Sequence, residues 1–163
     1  GLMMAKILKV KSKNSLKSAI DLGIAMQLTN IARDVVEDKK KNRSYINPNF
    51  LTIKDTLKLA DVFYDSSFNS INEISLNSRF AILVARRIYR QIGKKILTKK
   101  NMENYENSGK IYVSNFGKII QTFLSVFDLI ELMLVKPHKP INENKHDIIH
   151  NMINDKIDLN ERI

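Results

Sequence analysis

The chain has 163 residues, enough to build one domain around a real hydrophobic core. Hydrophobic residues make up 44% of it, and only five glycines and three prolines interrupt long stretches of helical spacing, which predicts an all-α protein. The absence of cysteine excludes disulfides and cysteine-based zinc or iron–sulfur sites. A net charge of +10 suits nucleic acid, anionic lipid or diphosphate as partners, although heavy lysine use on solvated faces explains much of it.

Capping residues and apolar periodicity predict five or six helices and no sheet. Residues 1–10 read as the end of a helix. Because the chain opens with Gly1 and looks like helix interior at once, we expect it to be a piece of a longer protein. Ser15 is the expected N-cap of a long central helix that ends near Asp38, and a basic loop over residues 39–49 follows.

Three further helices are predicted downstream of this loop. The first two are expected to run from Thr52 to about Ile74 and from Ser78 to about Lys99, and the last helix is expected to run to about Val135. Residues 72–77 and 101–109 read as turns. On the second of these helices we expect the polar side to be solvated and to carry Arg79, Arg86, Arg87 and Arg90.

Residues 136–163 break the helical pattern with two prolines, and high charge with few apolar residues predicts a disordered tail. His146 and His150 have helical metal-ligand spacing, but no further ligand stands near them in the sequence, so no zinc site is predicted. No apolar run approaches the roughly 20 residues of a membrane span.

The central helix carries a polar stripe. At about 100° per residue, an arc of roughly 80° contains Gly23, Gln27, Asn30, Asp34 and Asp38. Two carboxylates one turn apart repel each other, so a cation should offset them, either the lysines at 39–41 or a metal ion. Mg²⁺ prefers such oxygen ligands. The alternative reading is a helix end with solvated acids.

The residues of this stripe carry a resemblance to a known family. Residues 27–38 read QLTNIARDVVED, and Arg43-Ser44-Tyr45 follow. This resembles the second aspartate-rich motif of the squalene/phytoene synthase family, Q-x-x-N-I-x-R-D-x-x-E-D, followed by G-R-x-Y-L-P. The segment DLGIA at residues 21–25 is most similar to the bacterial phytoene synthase branch. One extra residue separates Tyr45 from Pro48, which departs from the family pattern.

Three later segments continue the resemblance. They are LADVFYDSS at 59–67, RFAI with IYR and IG between 79 and 93, and KIYVS at 110–114 followed by Lys118. Lys110 stands where the family more often has arginine, so a bidentate phosphate contact would be lost while the charge stays. The resemblance covers residues 1–135 and lacks the family's first aspartate-rich motif, which lies upstream.

The resemblance implies the C-terminal part of an isoprenoid-synthase-type helical bundle. It further implies a prenyltransferase that joins two geranylgeranyl diphosphates into phytoene through a cyclopropyl diphosphate. The implied catalytic residues are Asp34, Asp38, Arg33, Tyr45 and Tyr89. Those implied for substrate binding are Gln27, Asn30, Arg33, Arg43 and Lys118. The implied metal ligands are Asp34, Asp38, Glu37 and Asn30, with Mg²⁺ as the expected ion, Mn²⁺ as an alternative, and no NADPH.

Several alternatives remain open at the level of sequence. Squalene or dehydrosqualene synthesis would use the same motif, and a non-catalytic relative could act as an assembly factor. Arg33 could form a salt bridge to Glu37, either alone or together with diphosphate binding, and Tyr89 could be an ordinary interior tyrosine. We expect a prenyl diphosphate as substrate, a cytoplasmic location with peripheral membrane contact, and no nucleic-acid partner.

Overall fold

The computed structural model describes residues 13–134, and these form five α-helices and one 3₁₀ turn without any strand. The helices are α1 (Lys13–Lys40), α2 (Phe50–Phe68), α3 (Leu76–Leu97), α4 (Met102–Asn107) and α5 (Asn115–Leu134), and the 3₁₀ turn is Asn69–Glu73. The predicted all-α fold is therefore confirmed. The predicted helix end at 1–10, the tail at 136–163 and its two histidines lie outside the described residues.

Helix α1 is the longest element, and its most extensive contact is with α2. Its fully buried apolar positions recur at helical spacing and include Ala25, Ala32 and Val35. Because alanines project so little, α2 can approach closely and bury Ile53 and Phe63 against α1. The opposite side of α1, with the polar stripe, stays half-exposed, and Gln27 on it is exposed.

The predicted N-caps of these helices are wrong by a few residues. Ser15 lies inside α1, whose described part already begins at Lys13. Thr52 lies inside α2, and the cap is Asn49, whose side-chain oxygen accepts the Thr52 amide hydrogen at 2.7 Å. Asparagine accepts this bond as well as threonine does, so composition alone could not choose between the two.

The chain leaves α2 earlier than predicted. Helix α2 ends at Phe68, and the tighter 3₁₀ turn brings Ile71 and Ile74 into a core cluster with Leu16 and Leu83. Helix α3 then begins at Leu76, before the predicted Ser78. Burial of these two isoleucines accounts for the early break, because a continuous helix would point them differently.

The arginines of α3 are buried or half-buried rather than fully solvated, contrary to the prediction. Arg86 is only 6% exposed and donates two hydrogen bonds to the Tyr64 carbonyl oxygen, at 2.9 and 3.1 Å. Arg87 pairs with Asp128 of α5, and Arg90 pairs with two aspartates of α2. These cations join helices to one another, which sequence periodicity could not show.

Residues 101–109, predicted as a polar turn, contain the short helix α4. The side chain of Asn101 caps it by accepting the Asn104 amide hydrogen at 2.8 Å. Tyr105 is 1% exposed and belongs to the core cluster of α1, α2 and α3. Gly109 then adopts a positive φ of 62°, a conformation that glycine adopts readily, and the chain turns toward α5.

The described part of α5 runs to Leu134, and its predicted end near Val135 lies outside the described residues. Its buried side carries Ser125 and Asp128 beside Leu132. Its outward side is apolar, with Phe116, Ile119, Ile120, Phe123, Val126, Phe127, Ile130, Met133 and Leu134 exposed. Within the described residues this helix therefore buries two polar side chains, Ser125 and Asp128, and exposes most of its large apolar ones.

Candidate active site

The acidic end of α1 is held by two cations from within the chain. Arg33 forms a two-point contact with Asp34, from Nε to Oδ1 and from Nη2 to Oδ2, both at 2.9 Å. Lys110, from the segment after α4, places its Nζ 3.2 Å from Asp34 Oδ1 and 2.7 Å from Glu37 Oε2. One ammonium therefore bridges two carboxylates that lie one turn apart.

The sequence suggested two ways to neutralise these acids from within the chain, a salt bridge from Arg33 to Glu37 and the lysines at 39–41, and both are wrong. Arg33 pairs with its neighbour Asp34 rather than with Glu37, because Lys110 occupies Glu37. The lysines at positions 39–41 are exposed, and no salt bridge in the part of the chain that the structure describes joins them to these acids. Sequence proximity favoured those lysines, but the tertiary structure supplies a lysine from 73 residues downstream of Glu37.

The ion pairs shift the pKa values of the groups in a consistent direction. The hydrogen bond from Arg33 holds the pKa of the Asp34 carboxyl below its ordinary value, and Lys110 adds to this effect. The hydrogen bond to Glu37, followed by that to Asp34, raises the pKa of the Lys110 ammonium. Asp34 and Lys110 are therefore both charged at neutral pH.

Tyr105 fixes the backbone of α1 next to these acids. Its hydroxyl donates to the carbonyl oxygens of Ala32 and Arg33, at 2.8 and 2.6 Å. Burial raises the pKa of the phenol well above its ordinary value, so it remains a hydrogen-bond donor. Sequence reasoning missed this residue. The only signal was Asn101, a good N-cap residue four positions before a tyrosine that helical spacing could bury.

The segment that carries Lys110 is anchored on both sides. Ile111 and Val113 are buried in the same core as Tyr105, and the carbonyl oxygen of Tyr112 accepts a hydrogen bond from Lys95 of α3 at 3.0 Å. The Lys110 side chain itself is 26% exposed. The backbone at this point is therefore fixed, while the lysine side chain keeps access to solvent.

Asn30 lies one turn before Asp34 and has an unusual feature. Its Oδ1 atom is buried and has no hydrogen-bond partner in the part of the chain that the structure describes. A buried acceptor without a partner costs free energy, of the order of 1–3 kcal/mol, so such atoms often mark a missing ligand. The atom stands on the same polar stripe as the two aspartates.

The second aspartate of the stripe faces the loop after α1. Asp38 lines a shallow depression with Arg43 and Tyr45. The depression exists because the Arg43 amide donates to the Asp38 carbonyl oxygen at 2.8 Å, and Asn42 turns the chain back with a positive φ of 54°. Arg43 and Tyr45 are both exposed.

The remaining predicted site residues are less closely gathered. Tyr89 is half-buried and packs against the cluster around Ala25 and Tyr64. The pKa of Arg33 is raised mainly by the hydrogen bond that it donates to Asp34, and Tyr89 adds a smaller contribution. Lys118 is exposed on α5, and no salt bridge joins it to the acids of α1 within the described residues. Gln27 is exposed on the stripe.

The oxygen donors of this stripe fit a hard divalent cation in chemistry. Carboxylates, together with the unpartnered Asn30 Oδ1, are ligands that Mg²⁺ accepts. However, both Asp34 oxygens are engaged by Arg33 and Lys110, and no group of three metal-binding side chains forms in the region from 13 to 134. A cation would have to take over contacts that Lys110 now makes.

Comparison with known proteins gives the same family as the motif. A family profile described as squalene/phytoene synthase matches residues 1–52. The chain is 34% identical to a 15-cis-phytoene synthase of Enterobacter agglomerans, over 60% of this chain and 40% of that protein. The chain is a partial phytoene synthase-like sequence. The resemblance inferred from residues 27–45 is thereby confirmed.

Other relatives of this phytoene synthase-like chain come from bacteria and plants. It is 33% identical to a 15-cis-phytoene synthase of Pantoea ananas, over 59% of this chain and 38% of that one. It is 31% identical to the chloroplastic phytoene synthase 1 of Solanum lycopersicum, over 69% of this chain and 32% of that protein. The chain spans about two-fifths of the length of the bacterial relatives. No solved structure matches significantly.

Proposed function

We propose that this chain is the C-terminal part of a phytoene synthase that joins two molecules of geranylgeranyl diphosphate through a cyclopropyl diphosphate intermediate. The observation that carries the proposal is the acidic end of α1, where Asp34 and Glu37 converge on one cation. It coincides with residues 27–38, which resemble the second aspartate-rich motif of the squalene/phytoene synthase family. A site that already holds a cation between two carboxylates is suited to binding a metal–diphosphate complex.

We assign the groups of this site the following roles. Asp34, Asp38, Glu37 and Asn30 are the proposed ligands of Mg²⁺, or of Mn²⁺ in its place. When bound, the ion would neutralise the negative charge of the leaving diphosphate. Those proposed to bind the diphosphate are Arg33, Arg43, Lys118 and Gln27. Tyr45 and Tyr89 are proposed to line the cavity in which the allylic cation is kept from water.

Substitution of the aspartates in the full-length enzyme tests this assignment. Asp34→Asn or Asp38→Asn should lower turnover of geranylgeranyl diphosphate by at least about 100-fold, with little loss of stability, because charge stabilisation of a leaving group contributes several kcal/mol. Asp55→Asn is the matched control, since Asp55 is exposed on α2 and its salt bridge among the described residues is to Lys58 of the same helix. Near-normal activity of either site variant would overturn the metal assignment.

The 163 residues alone should form no phytoene. In this chain the polar stripe of α1 is half-exposed, so water would quench an allylic cation. Product analysis with geranylgeranyl diphosphate and Mg²⁺ tests this, and synthesis by the isolated chain would contradict it. The alternative products, squalene or dehydrosqualene, would appear as C30 rather than C40 hydrocarbons when both substrates are offered to the full-length protein. A non-catalytic assembly role would give no product from either substrate.

Contact with a membrane surface is the second part of the proposal. No helix in the described region is long and apolar enough to cross a bilayer. The outward side of α5, however, exposes apolar residues over its whole length, including Phe116, Phe123 and Phe127 at 56–73% exposure. An apolar helix face of this kind can lie in the interface of a bilayer and receive a lipidic substrate there.

Co-sedimentation with phosphatidylglycerol vesicles tests the membrane contact. The variant Phe123→Ser/Phe127→Ser should bind several-fold more weakly, because the two rings pack edge to face and are exposed together. Leu51→Ser removes one exposed apolar side chain from α2 and serves as the control. Equal binding by both variants would show that α5 is not the contact.

A further inference from the structure

We propose that Lys110 is a built-in counter-cation that holds Asp34 and Glu37 together in the metal-free protein and competes with a divalent cation for them. This inference rests on the proposed function of the same site. It adds a role for a residue that the implied set of metal ligands and substrate-binding groups does not contain. Lys110 would set how readily the site accepts its ion.

The first argument is the choice of oxygen atoms. Lys110 Nζ lies 2.7 Å from Glu37 Oε2 and 3.2 Å from Asp34 Oδ1, so it contacts one oxygen of each carboxylate. A divalent cation placed between these two carboxylates would compete with the ammonium for the lone pairs of these oxygens. Arg33 cannot play this part, because its two-point contact is confined to Asp34.

The second argument is that the lysine can leave without moving the backbone. Ile111 and Val113 are buried, and Lys95 holds the Tyr112 carbonyl oxygen. These contacts fix the chain at Lys110, but the side chain is 26% exposed and has a flexible four-carbon stem. Rotation of that stem takes the ammonium into solvent and frees the Glu37 carboxylate, and it leaves Asp34 in contact with Arg33 alone.

The third argument is electrostatic. Asp34 and Glu37 stand three residues apart on one helix face, so they repel each other when the ammonium is absent. This repulsion is what a divalent cation relieves. The gain from binding such an ion is therefore smaller while Lys110 is in place and larger once it is removed.

Mn²⁺ binding by the full-length protein tests the proposal, measured from the loss of the free-ion electron paramagnetic resonance signal at low ionic strength. Lys110→Met should bind Mn²⁺ about 10-fold more tightly, as expected for one unit charge removed a few ångströms from the site in a partly solvated setting. Lys110→Arg should bind like the unsubstituted protein or more weakly. Lys58→Met removes one charge from the exposed face of α2 and should leave the affinity unchanged.

A combined variant shows whether the gain arises at the two carboxylates. Glu37→Gln/Lys110→Met should lose the tighter binding, because only one carboxylate remains at the bridge. Unchanged or weaker binding by Lys110→Met, a gain of equal size in Lys58→Met, or no Mn²⁺ binding by any variant would overturn the proposal. Should Lys110→Met fail to fold, Lys110→Gln keeps a polar side chain of similar length and is expected to give the same tightening.

The two proposals can fail separately. If Asp34→Asn abolishes turnover while Lys110→Met binds Mn²⁺ no more tightly, the counter-cation role is wrong and the synthase proposal stands. If Lys110→Met tightens Mn²⁺ binding while the enzyme makes no hydrocarbon product, the synthase proposal is wrong and the counter-cation role stands.

Discussion

The contact between Arg87 of α3 and Asp128 of α5 leads to a prediction about how α5 is held. Arg87 Nε donates to Asp128 Oδ2 and Nη2 donates to Oδ1, so the pair is bidentate. The Asp128 side chain is 8% exposed and that of Arg87 is 26% exposed. Because the other buried side chains of α5 include only Ser125 and Leu132, this pair is a main attachment of the helix.

Replacing Asp128 by leucine keeps the number and branching of the side-chain heavy atoms and removes the charge. Breaking a fully buried ion pair costs about 3–5 kcal/mol of unfolding free energy, since the partner charge remains without compensation. Arg87 is a quarter exposed and can turn toward water, which lowers the expected cost to about 2–3 kcal/mol. In Arg87→Met/Asp128→Leu neither charge remains, so we expect a loss of no more than about 1 kcal/mol.

Urea denaturation followed by circular dichroism measures these differences in a double-mutant cycle with Arg87→Met. We expect a coupling free energy of about 1.5 kcal/mol or more between the two positions. A cost below about 0.5 kcal/mol for Asp128→Leu would refute the reasoning, and so would a double variant whose loss equals the sum of the two single losses. Either result would mean that apolar contacts of Leu132 and its neighbours hold α5 without help from the ion pair.

Three further predictions concern stability and pH. Tyr105→Phe should cost about 1 kcal/mol in urea unfolding, because the two carbonyl oxygens keep their helical hydrogen bonds, whereas Tyr105→Ala should cost more than about 3 kcal/mol. The pKa of Asp34 lies below its ordinary value of 3.8, so its contribution to stability is present above that pH and is lost as the pH falls through the folded-state pKa. Below about pH 4, the unfolding free energy of Asp34→Asn should therefore fall less steeply with decreasing pH than that of the unsubstituted protein. Gly117→Ala would place a Cβ 2.9 Å from Val113 Cγ1 and should lower the melting temperature; an unchanged value would show that Val113 can move aside.

Local patterns in the sequence were sufficient to identify the helices and the acidic stripe. Apolar residues at helical spacing predicted the long helices, and the motif at 27–38 identified the end of α1 that carries the proposed site. These features depend on residues within a few turns of each other. Helix ends were less well predicted, since Asn49 and Thr52 are both acceptable caps and only the packing selects one.

The sequence by itself thus determined the all-α fold, the relationship to phytoene synthases and the polar face of α1. Only the tertiary structure decided which cations meet that face and what lies behind it. Lys110 reaches Glu37 across 73 positions, and Tyr105 reaches the Ala32 carbonyl oxygen across the same separation. Arg86 and Arg87, which read as solvated residues, turn inward because α2 and α5 present a carbonyl oxygen and a carboxylate there. Such contacts arise from the packing of distant segments, and helical periodicity within one segment carries no information about them.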